Sequence, residues 1–154
     1  MQLSLSDPGL LKSQAYIDGQ WVNADSGATF DVTNPVNGEL ITAVAKVGAA
    51  ETARAVAAAA TAMREWARKP AKARANILRK WFDLMMQHQE DLAIIMTAEQ
   101  GKVLAESRGE VAYGAAFVEW FGEQAKRIDG DVIPGPSPDK RIVCIKQPVG
   151  PTTR

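Results

Sequence analysis

The chain of 154 residues carries 18 basic and 18 acidic side chains, so its formal net charge is zero. With 46% hydrophobic and 23% charged residues it has ordinary globular composition, which excludes disordered, collagen-like and fibrous classes. The balanced charge argues against a nucleic-acid partner, and no apolar run approaches the roughly 20 residues that span a bilayer. One cysteine and one histidine cannot form a Cys/His metal cluster, and no secretory leader is recognisable, so we expect a cytoplasmic chain without a metal.

The first third of the chain has the pattern of short strands separated by turns. The Asp-Gly pair at residues 18–19, between β-forming residues, is the strongest short-range hairpin signal. Residues 29–33 and 40–45 read as two further strands, with a turn cluster of sequence NPVNG between them. We therefore predict a three-stranded β-meander over residues 14–47, which follows an N-terminal tail at residues 1–13.

From residue 50 the hydrophobic period becomes that of helices, and we predict three long helices between residues 50 and 127. The first is alanine-rich, which favours close helix packing. The second begins at Pro70, ends near Gly101 and carries an apolar stripe. The stripe consists of Ile77, Leu78, Trp81, Leu84, Met85, His88, Leu92 and Ile95. The third, about residues 103–127, has apolar residues on more than one face, which predicts burial between two partners.

After Gly130 the sequence is too rich in proline and glycine for a helix. Residues 141–146 read as a strand, so we predict a β-ribbon with a proline-rich tip over residues 130–147. The expected fold class is therefore an α+β fragment of an α/β fold, in which an N-terminal β-meander, three long helices and a C-terminal β-ribbon follow one another.

The sequence holds few candidate catalytic groups, and the common nucleotide-binding and hydrolase motifs are absent from it. Cys144 could be a nucleophile, but its apolar neighbours favour a buried structural cysteine. His88 could be a base, although a half-buried helix residue is the simpler interpretation. Phe117 and Trp120, like Trp66 and Trp81, are typical of core packing, with a substrate wall as the alternative. Four glutamates could be general acids, but their spacing indicates a solvated face with weak ion pairs. They are Glu99, Glu106, Glu110 and Glu119.

Four motifs, in this order along the chain, resemble the N-terminal part of aldehyde dehydrogenases. They are IDGQW at residues 17–21, DVTNPVNGE at 31–39, EQGKVLAE at 99–106 and KQPVG at 146–150. Three intervening segments are similar to the succinate-semialdehyde branch of that family. They are ILRKWFDLMM at 77–86, FVEWF at 117–121 and GDVIP at 130–134. The resemblance covers roughly residues 14–150 and implies a partial aldehyde dehydrogenase domain.

The resemblance also implies which catalytic groups have no counterpart here. In the family the Pro-Val-Gly lead-in continues into a Pro-Trp-Asn-Phe-Pro motif, whose Asn helps form the oxyanion hole, whereas here residues 151–154 do not match. The family's catalytic Cys, general-base Glu and glycine-rich cofactor segment belong further downstream, and Cys144 does not match the nucleophile. We therefore expect a truncated dehydrogenase. Its family oxidises a semialdehyde to the acid with NAD or NADP, but this chain alone is expected to be inactive and to bind no cofactor.

Further expectations follow from the family's fold. The ribbon resembles the arm that pairs across subunits, and Phe117 and Trp120 are expected to line the mouth of the substrate tunnel. Some relatives hold a monovalent cation with backbone oxygens at the positions of Val32 and Thr33 and an acid at Glu99. Because such relatives often have Asp there, we expect no metal site. The alternatives are a non-catalytic module that self-associates or docks on homologous subunits, and a pseudogene product without function.

Overall fold

The structure is a computed structural model that describes residues 3–152. Within these residues, a 3₁₀ turn at Pro8–Leu10 comes before four strands, four helices and two more strands. In chain order these are β1 (Ala15–Ile17), β2 (Gln20–Val22), β3 (Thr29–Thr33), β4 (Leu40–Ala45), α1 (Ala49–Arg68), α2 (Ala71–Gln87), α3 (Gln89–Gln100), α4 (Leu104–Gln124), β5 (Asp131–Pro134) and β6 (Arg141–Cys144).

The N-terminal strands form two separate antiparallel hairpins, β1–β2 and β3–β4. Asp18 and Gly19 have φ values of 50° and 79°, the positive values that a type I′ hairpin turn needs, so the predicted Asp-Gly hairpin is confirmed. The predicted positions of the later strands are also confirmed. They do not join the first hairpin in one meander, because residues 23–28 run between β2 and β3 without pairing the two strands.

The second predicted helix is divided at His88 into α2 and α3. His88 leaves helical geometry (φ −103°, ψ 18°), and its N–H is donated to the carbonyl oxygens of Leu84 and Met86. The spacing of the apolar stripe did not reveal this division, because His88 lies three positions after Met85 and four before Leu92. Glu90 and Asp91 then lie in the first turn of α3, where acidic side chains favour a helix N-terminus.

The centre of the molecule is α4, which lies against both α2 and α3. Its buried residues are mostly small: Ser107 and Ala115 have no exposed surface, and Gly122 is buried. A Cβ added at Gly122 would lie 3.3 Å from the Cβ of Leu78. The predicted burial of the third helix between two partners is therefore confirmed for this small-residue face, where the absence of bulky side chains lets the helices approach closely.

The C-terminal ribbon is confirmed as an antiparallel pair, β5 with β6, in register from Asp131 opposite Cys144 to Pro134 opposite Arg141. Every residue of both strands is exposed. Cys144 is therefore exposed, and the expectation of a buried cysteine is wrong. The apolar neighbours of Cys144 suggested burial, but within residues 3–152 no element covers the ribbon there.

Candidate functional site

A shallow apolar groove of about 400 Å³ runs along one face of α4. Its lining residues are Tyr113, Ala116, Phe117, Trp120 and Phe121, and we call it the aromatic groove. Their helical spacing places these residues on neighbouring turns of a common face. The rings of Tyr113 and Phe117 meet edge to face with their centroids 4.9 Å apart, an arrangement that aromatic pairs favour. The groove is thus a surface of aromatic rings with few polar atoms.

The aromatic groove brings together the two residues that the sequence singled out. Phe117 and Trp120 both line it, and they are 48% and 62% exposed, so neither packs in a core formed by the described residues. Tyr113 and Phe121, which the sequence did not suggest as wall residues, are 68% and 58% exposed. Both lie four positions from Phe117, about one helical turn away, and this spacing could have identified them. The role of this wall in a substrate tunnel stays a prediction.

A second apolar face lies on α2. Ile77, Trp81 and Leu84, at helical spacing, are 48%, 55% and 44% exposed. Core packing, the interpretation that the sequence favoured for Trp81, is therefore wrong for the described structure. The reason is geometric, because α2 turns its Ala75 and Leu78 side toward α4 and leaves Ile77, Trp81 and Leu84 exposed.

Two buried carboxylates bind backbone N–H groups. Asp91 is 3% exposed and accepts the N–H groups of Ser6 and Asp7, each at 2.8 Å. Glu51, 5% exposed, accepts the N–H of Asp25 at 2.8 Å and that of Gly48 at 3.0 Å. These bonds lower the pKa of both carboxyls, that of Asp91 chiefly through Ser6 and that of Glu51 chiefly through Asp25. Both groups are therefore ionised structural acceptors and are poorly suited to act as general acids.

Sequence reasoning did not identify Asp91 or Glu51 as anchors. For Glu51 the available signal was its N3 position in α1, from which a side chain can reach back to the N-cap backbone. The hydrogen-bond partners of Asp91 lie more than eighty positions upstream, so no local sequence pattern predicts them.

The glutamates predicted to form a solvated face are exposed or half-buried. Glu110 pairs with Lys102, and Glu119 pairs with Arg79 at 2.9 Å, which confirms the predicted ion pairs at these two positions. Such exposed pairs contribute little stability. Glu99 lies two residues before Gly101, where Pro35 and Val36 of the β3–β4 turn approach the end of α3. That Val32, Thr33 and Glu99 form no cation site stays a prediction.

The remaining titratable candidates lie in different elements. His88 is half-buried at the α2–α3 junction, as predicted, and Cys144 ends the exposed β6 strand. No hydrogen bond joins these two side chains in residues 3–152. In the same part of the chain, no three or more His, Cys, Asp and Glu side chains are grouped as metal ligands. No helix among these residues combines the length and hydropathy needed to cross a bilayer.

Comparison with known proteins adds to this geometry. The model of the Aldehyde dehydrogenase family matches residues 21–154. Over 150 residues the chain is 59% identical to glutarate-semialdehyde dehydrogenase of Pseudomonas aeruginosa and 53% identical to succinate-semialdehyde dehydrogenase [NADP(+)] GabD of Escherichia coli. In both cases the match covers 97% of this chain and 31% of the relative.

The fold is similar to a crystal structure of aldehyde dehydrogenase from Brucella melitensis biovar abortus, with a TM-score of 0.94 and 52% identity. That superposition covers 96% of this chain and 31% of the other. The chain thus spans about a third of the length of the relatives it matches. The resemblance found in the sequence motifs, including its semialdehyde branch, is confirmed. The chain belongs to the aldehyde dehydrogenase family.

Proposed function

We propose that this chain forms the non-catalytic third of an NAD(P)-dependent semialdehyde dehydrogenase, and that its aromatic groove supplies one wall of the path that the substrate takes. The observation that carries the proposal is the placement of Phe117 and Trp120 on one exposed apolar face of α4. The two relatives named above act on glutarate and succinate semialdehyde, as their names state. The short methylene chains of such substrates suit a wall of aromatic rings.

The chemistry of the reaction is proposed to reside outside this chain. Aldehyde oxidation needs a thiolate to attack the carbonyl, donors for the oxyanion and a nicotinamide that accepts the hydride. The one cysteine, Cys144, lies exposed on the ribbon, opposite Asp131 in the strand register. We therefore expect the chain alone to show no turnover and to bind neither NAD nor NADP.

A chimera tests the role of the groove. Residues 3–150 replace the matching segment of the Pseudomonas aeruginosa enzyme, and reduced nicotinamide is followed at 340 nm with glutarate and succinate semialdehyde. We expect an active chimera, in which Phe117→Ala and Trp120→Ala raise KM several-fold, whereas Ala105→Ser, an exposed change in the same helix, leaves KM unchanged. A folded but inactive chimera would contradict the proposed function. Turnover by the 154-residue chain alone, above a mock purification, would contradict its assignment as non-catalytic.

A second function is favoured by the ribbon. β5 and β6 pair only with each other among the described strands, so each has an outer edge with unpaired backbone groups. Such an edge can accept a strand from another chain, and we propose that it associates with a homologous subunit or a second copy. Light scattering of the chain with Val143→Pro, which blocks one edge, measures this association. An unchanged mass would contradict it.

Two further expectations from the sequence, the cellular compartment and the pseudogene alternative, are tested in the cell. We place the chain in the cytoplasm, which cell fractionation with an antibody against the chain would measure. The pseudogene alternative makes the opposite prediction about abundance, because a product without function is not expected to accumulate as stable protein in the cell.

A further inference from the structure

A cleft lined by aromatic, apolar and basic side chains lies at the base of the ribbon. Its volume is about 350 Å³, near the lower end of the range of small-molecule pockets. We call it the basal cleft, and its lining residues are Met63, Trp66, Ala67, Arg74, Ile128, Lys146, Gln147 and Pro148. They come from α1, from the first turn of α2 and from the two segments that flank the ribbon. The basal cleft and the aromatic groove share no lining residue, so they are separate sites.

The strand register of the ribbon forms one wall of the basal cleft. Asp131 lies opposite Cys144, so the segments that carry Ile128 and Lys146 meet the ribbon side by side. A Cβ added at Gly130 would overlap the carbonyl oxygen of Cys144, which shows how closely the two segments approach each other. The position of Lys146 relative to Ile128 is therefore set by backbone packing.

Arg74 supplies a positive charge from the helices. It is half-buried, and its Nη1 donates a hydrogen bond to the carbonyl oxygen of Lys69, across the Pro70 turn between α1 and α2. A guanidinium has five N–H donors, and no acidic side chain of residues 3–152 forms an ion pair with this one. A guanidinium that is held by one bond and has donors to spare is suited to bind the oxygens of a carboxylate or a phosphate.

The sequence around Arg74 is strongly basic, although the chain as a whole is neutral. Residues 64–80 hold seven basic side chains and one acidic side chain, whereas the rest of the chain holds 11 basic and 17 acidic ones. The seven are Arg64, Arg68, Lys69, Lys72, Arg74, Arg79 and Lys80. Within residues 3–152, only Arg79 of this set forms an ion pair. No acidic residue lines the basal cleft, so its field attracts anions.

We propose that the basal cleft binds a small organic anion. Its carboxylate or phosphate group meets Arg74 and Lys146, and its apolar body lies against Trp66, which is 38% exposed. A bare inorganic anion would leave the apolar lining in contact with water, and a neutral apolar ligand would leave Arg74 without a counter-ion. The lining therefore favours a ligand that combines both properties. This site does not rest on the proposed function.

Calorimetric titration of the 154-residue chain tests the ligand class. The probes are phenyl phosphate and phenylacetate, each compared with the bare anion that carries the same charged group, inorganic phosphate or acetate. We expect each phenyl compound to bind about tenfold or more tightly than its bare anion, because the ring buries apolar surface against the lining. The tighter phenyl compound identifies the preferred charged group. Equal binding of phenyl phosphate and inorganic phosphate, or no saturable binding of either phenyl compound, would overturn the proposal.

Substitutions in the lining locate the ligand. Arg74→Gln and Trp66→Leu should each weaken the binding of phenyl phosphate about tenfold, and Lys146→Gln should weaken it severalfold. Lys72→Gln is the matched control, since it also removes one positive charge from an exposed side chain but lies outside the lining. It should leave the affinity unchanged. If it weakens binding as much as Lys146→Gln does, the ligand responds only to the overall charge of the region, and the cleft is not its site.

Nuclear magnetic resonance gives a readout that does not depend on the stability of the variants. The indole N–H signal of Trp66, assigned by its loss in Trp66→Leu, should move as phenyl phosphate is added to the parent chain. Circular dichroism of each variant shows whether weaker binding reflects unfolding. Movement of another indole signal, with that of Trp66 unchanged, would place the ligand elsewhere and refute the site.

The chimera with the Pseudomonas aeruginosa enzyme separates this inference from the proposed function. It carries residues 3–150 and therefore every residue that lines the basal cleft. We expect phenyl phosphate to bind the chimera as tightly as it binds the chain. Loss of binding in an active chimera would mean that other residues cover the cleft, which would overturn the ligand site and leave the proposed function standing. A folded, inactive chimera that binds phenyl phosphate would refute the proposed function alone.

Discussion

The carboxylate of Asp91 accepts the backbone N–H of Ser6 at 2.8 Å, and so joins α3 to a residue 85 positions earlier in the chain. The N–H of Asp7 binds the other carboxylate oxygen at the same distance. Because the carboxylate is buried and ionised, both bonds are charge-assisted and hold the N-terminal segment against the helices. The segment that precedes the first hairpin is thus anchored to the helical part of the molecule.

Replacing Asp91 by Asn should release this segment. The amide group keeps one acceptor oxygen but presents an N–H₂ donor to the second backbone N–H, so one of the two bonds is lost. We expect faster hydrogen exchange at the amides of Ser6 and Asp7 and a lower melting temperature. Asp83→Asn is the matched control, since Asp83 forms only an exposed pair with Arg79 at 3.1 Å. Equal exchange rates in the two variants would refute the anchoring role.

Acidification should destabilise the fold through the lowered pKa of Glu51. A carboxyl whose pKa is lower in the folded than in the unfolded state stabilises the fold above the unfolded pKa. That contribution is lost as the pH falls through the folded value. Urea unfolding between pH 7 and pH 3 should therefore show a steeper loss of stability for the parent chain than for Glu51→Gln, which does not titrate. Parallel pH profiles would exclude this role of Glu51.

The parts of the fold that the sequence predicted are those fixed by local chemistry. The Asp18-Gly19 turn follows from residues that tolerate positive φ, and the ribbon follows from glycine and proline around two β-rich segments. The end of the second helical region at Gly101 follows from a left-handed residue, whose φ is 73°. None of these features needs knowledge of a distant partner.

The features that escaped prediction depend on tertiary contacts. The anchor at Asp91 depends on partners far away in the sequence. The exposure of Trp81 and Cys144 depends on which neighbours cover them, which their apolar surroundings in the sequence do not reveal. The groove was anticipated through Phe117 and Trp120, yet its full extent required the geometry of α4.

Gly101 should tolerate alanine less well than Gly38 does. Both glycines have left-handed backbones, with φ values of 73° and 74°, so alanine is strained at either position. A Cβ at Gly101 would also lie 3.0 Å from Cγ of Pro35 and 3.1 Å from Cγ2 of Val36, whereas a Cβ at Gly38 meets nothing within 4 Å.

We expect Gly38→Ala to lower the free energy of unfolding by about 1 kcal/mol, and Gly101→Ala by about 2–3 kcal/mol. Urea denaturation measures both. The difference reports how tightly the turn between β3 and β4 packs on the end of α3. Equal losses would mean that the turn moves away at no cost, which would contradict the close contact.

The hydrogen bond between Ser107 and Thr97 is a partly buried polar link between α3 and α4. The two hydroxyl oxygens are 2.8 Å apart, and Ser107 has no exposed surface. Ser107→Ala should destabilise the fold by about 1–2 kcal/mol, because the hydroxyl of the half-buried Thr97 loses its hydrogen-bond partner. Thr97→Val should have a similar effect, since it removes the hydroxyl but keeps the shape of the side chain.

The double variant Ser107→Ala/Thr97→Val decides whether the two hydroxyls act as a pair. Once one partner is gone, removal of the second leaves no further unsatisfied group. The combined loss should therefore fall short of the sum of the single losses by about 1 kcal/mol. Urea unfolding of the four proteins gives this coupling energy directly. Additive losses would show that each hydroxyl acts independently and that the link between α3 and α4 rests on their apolar contacts alone.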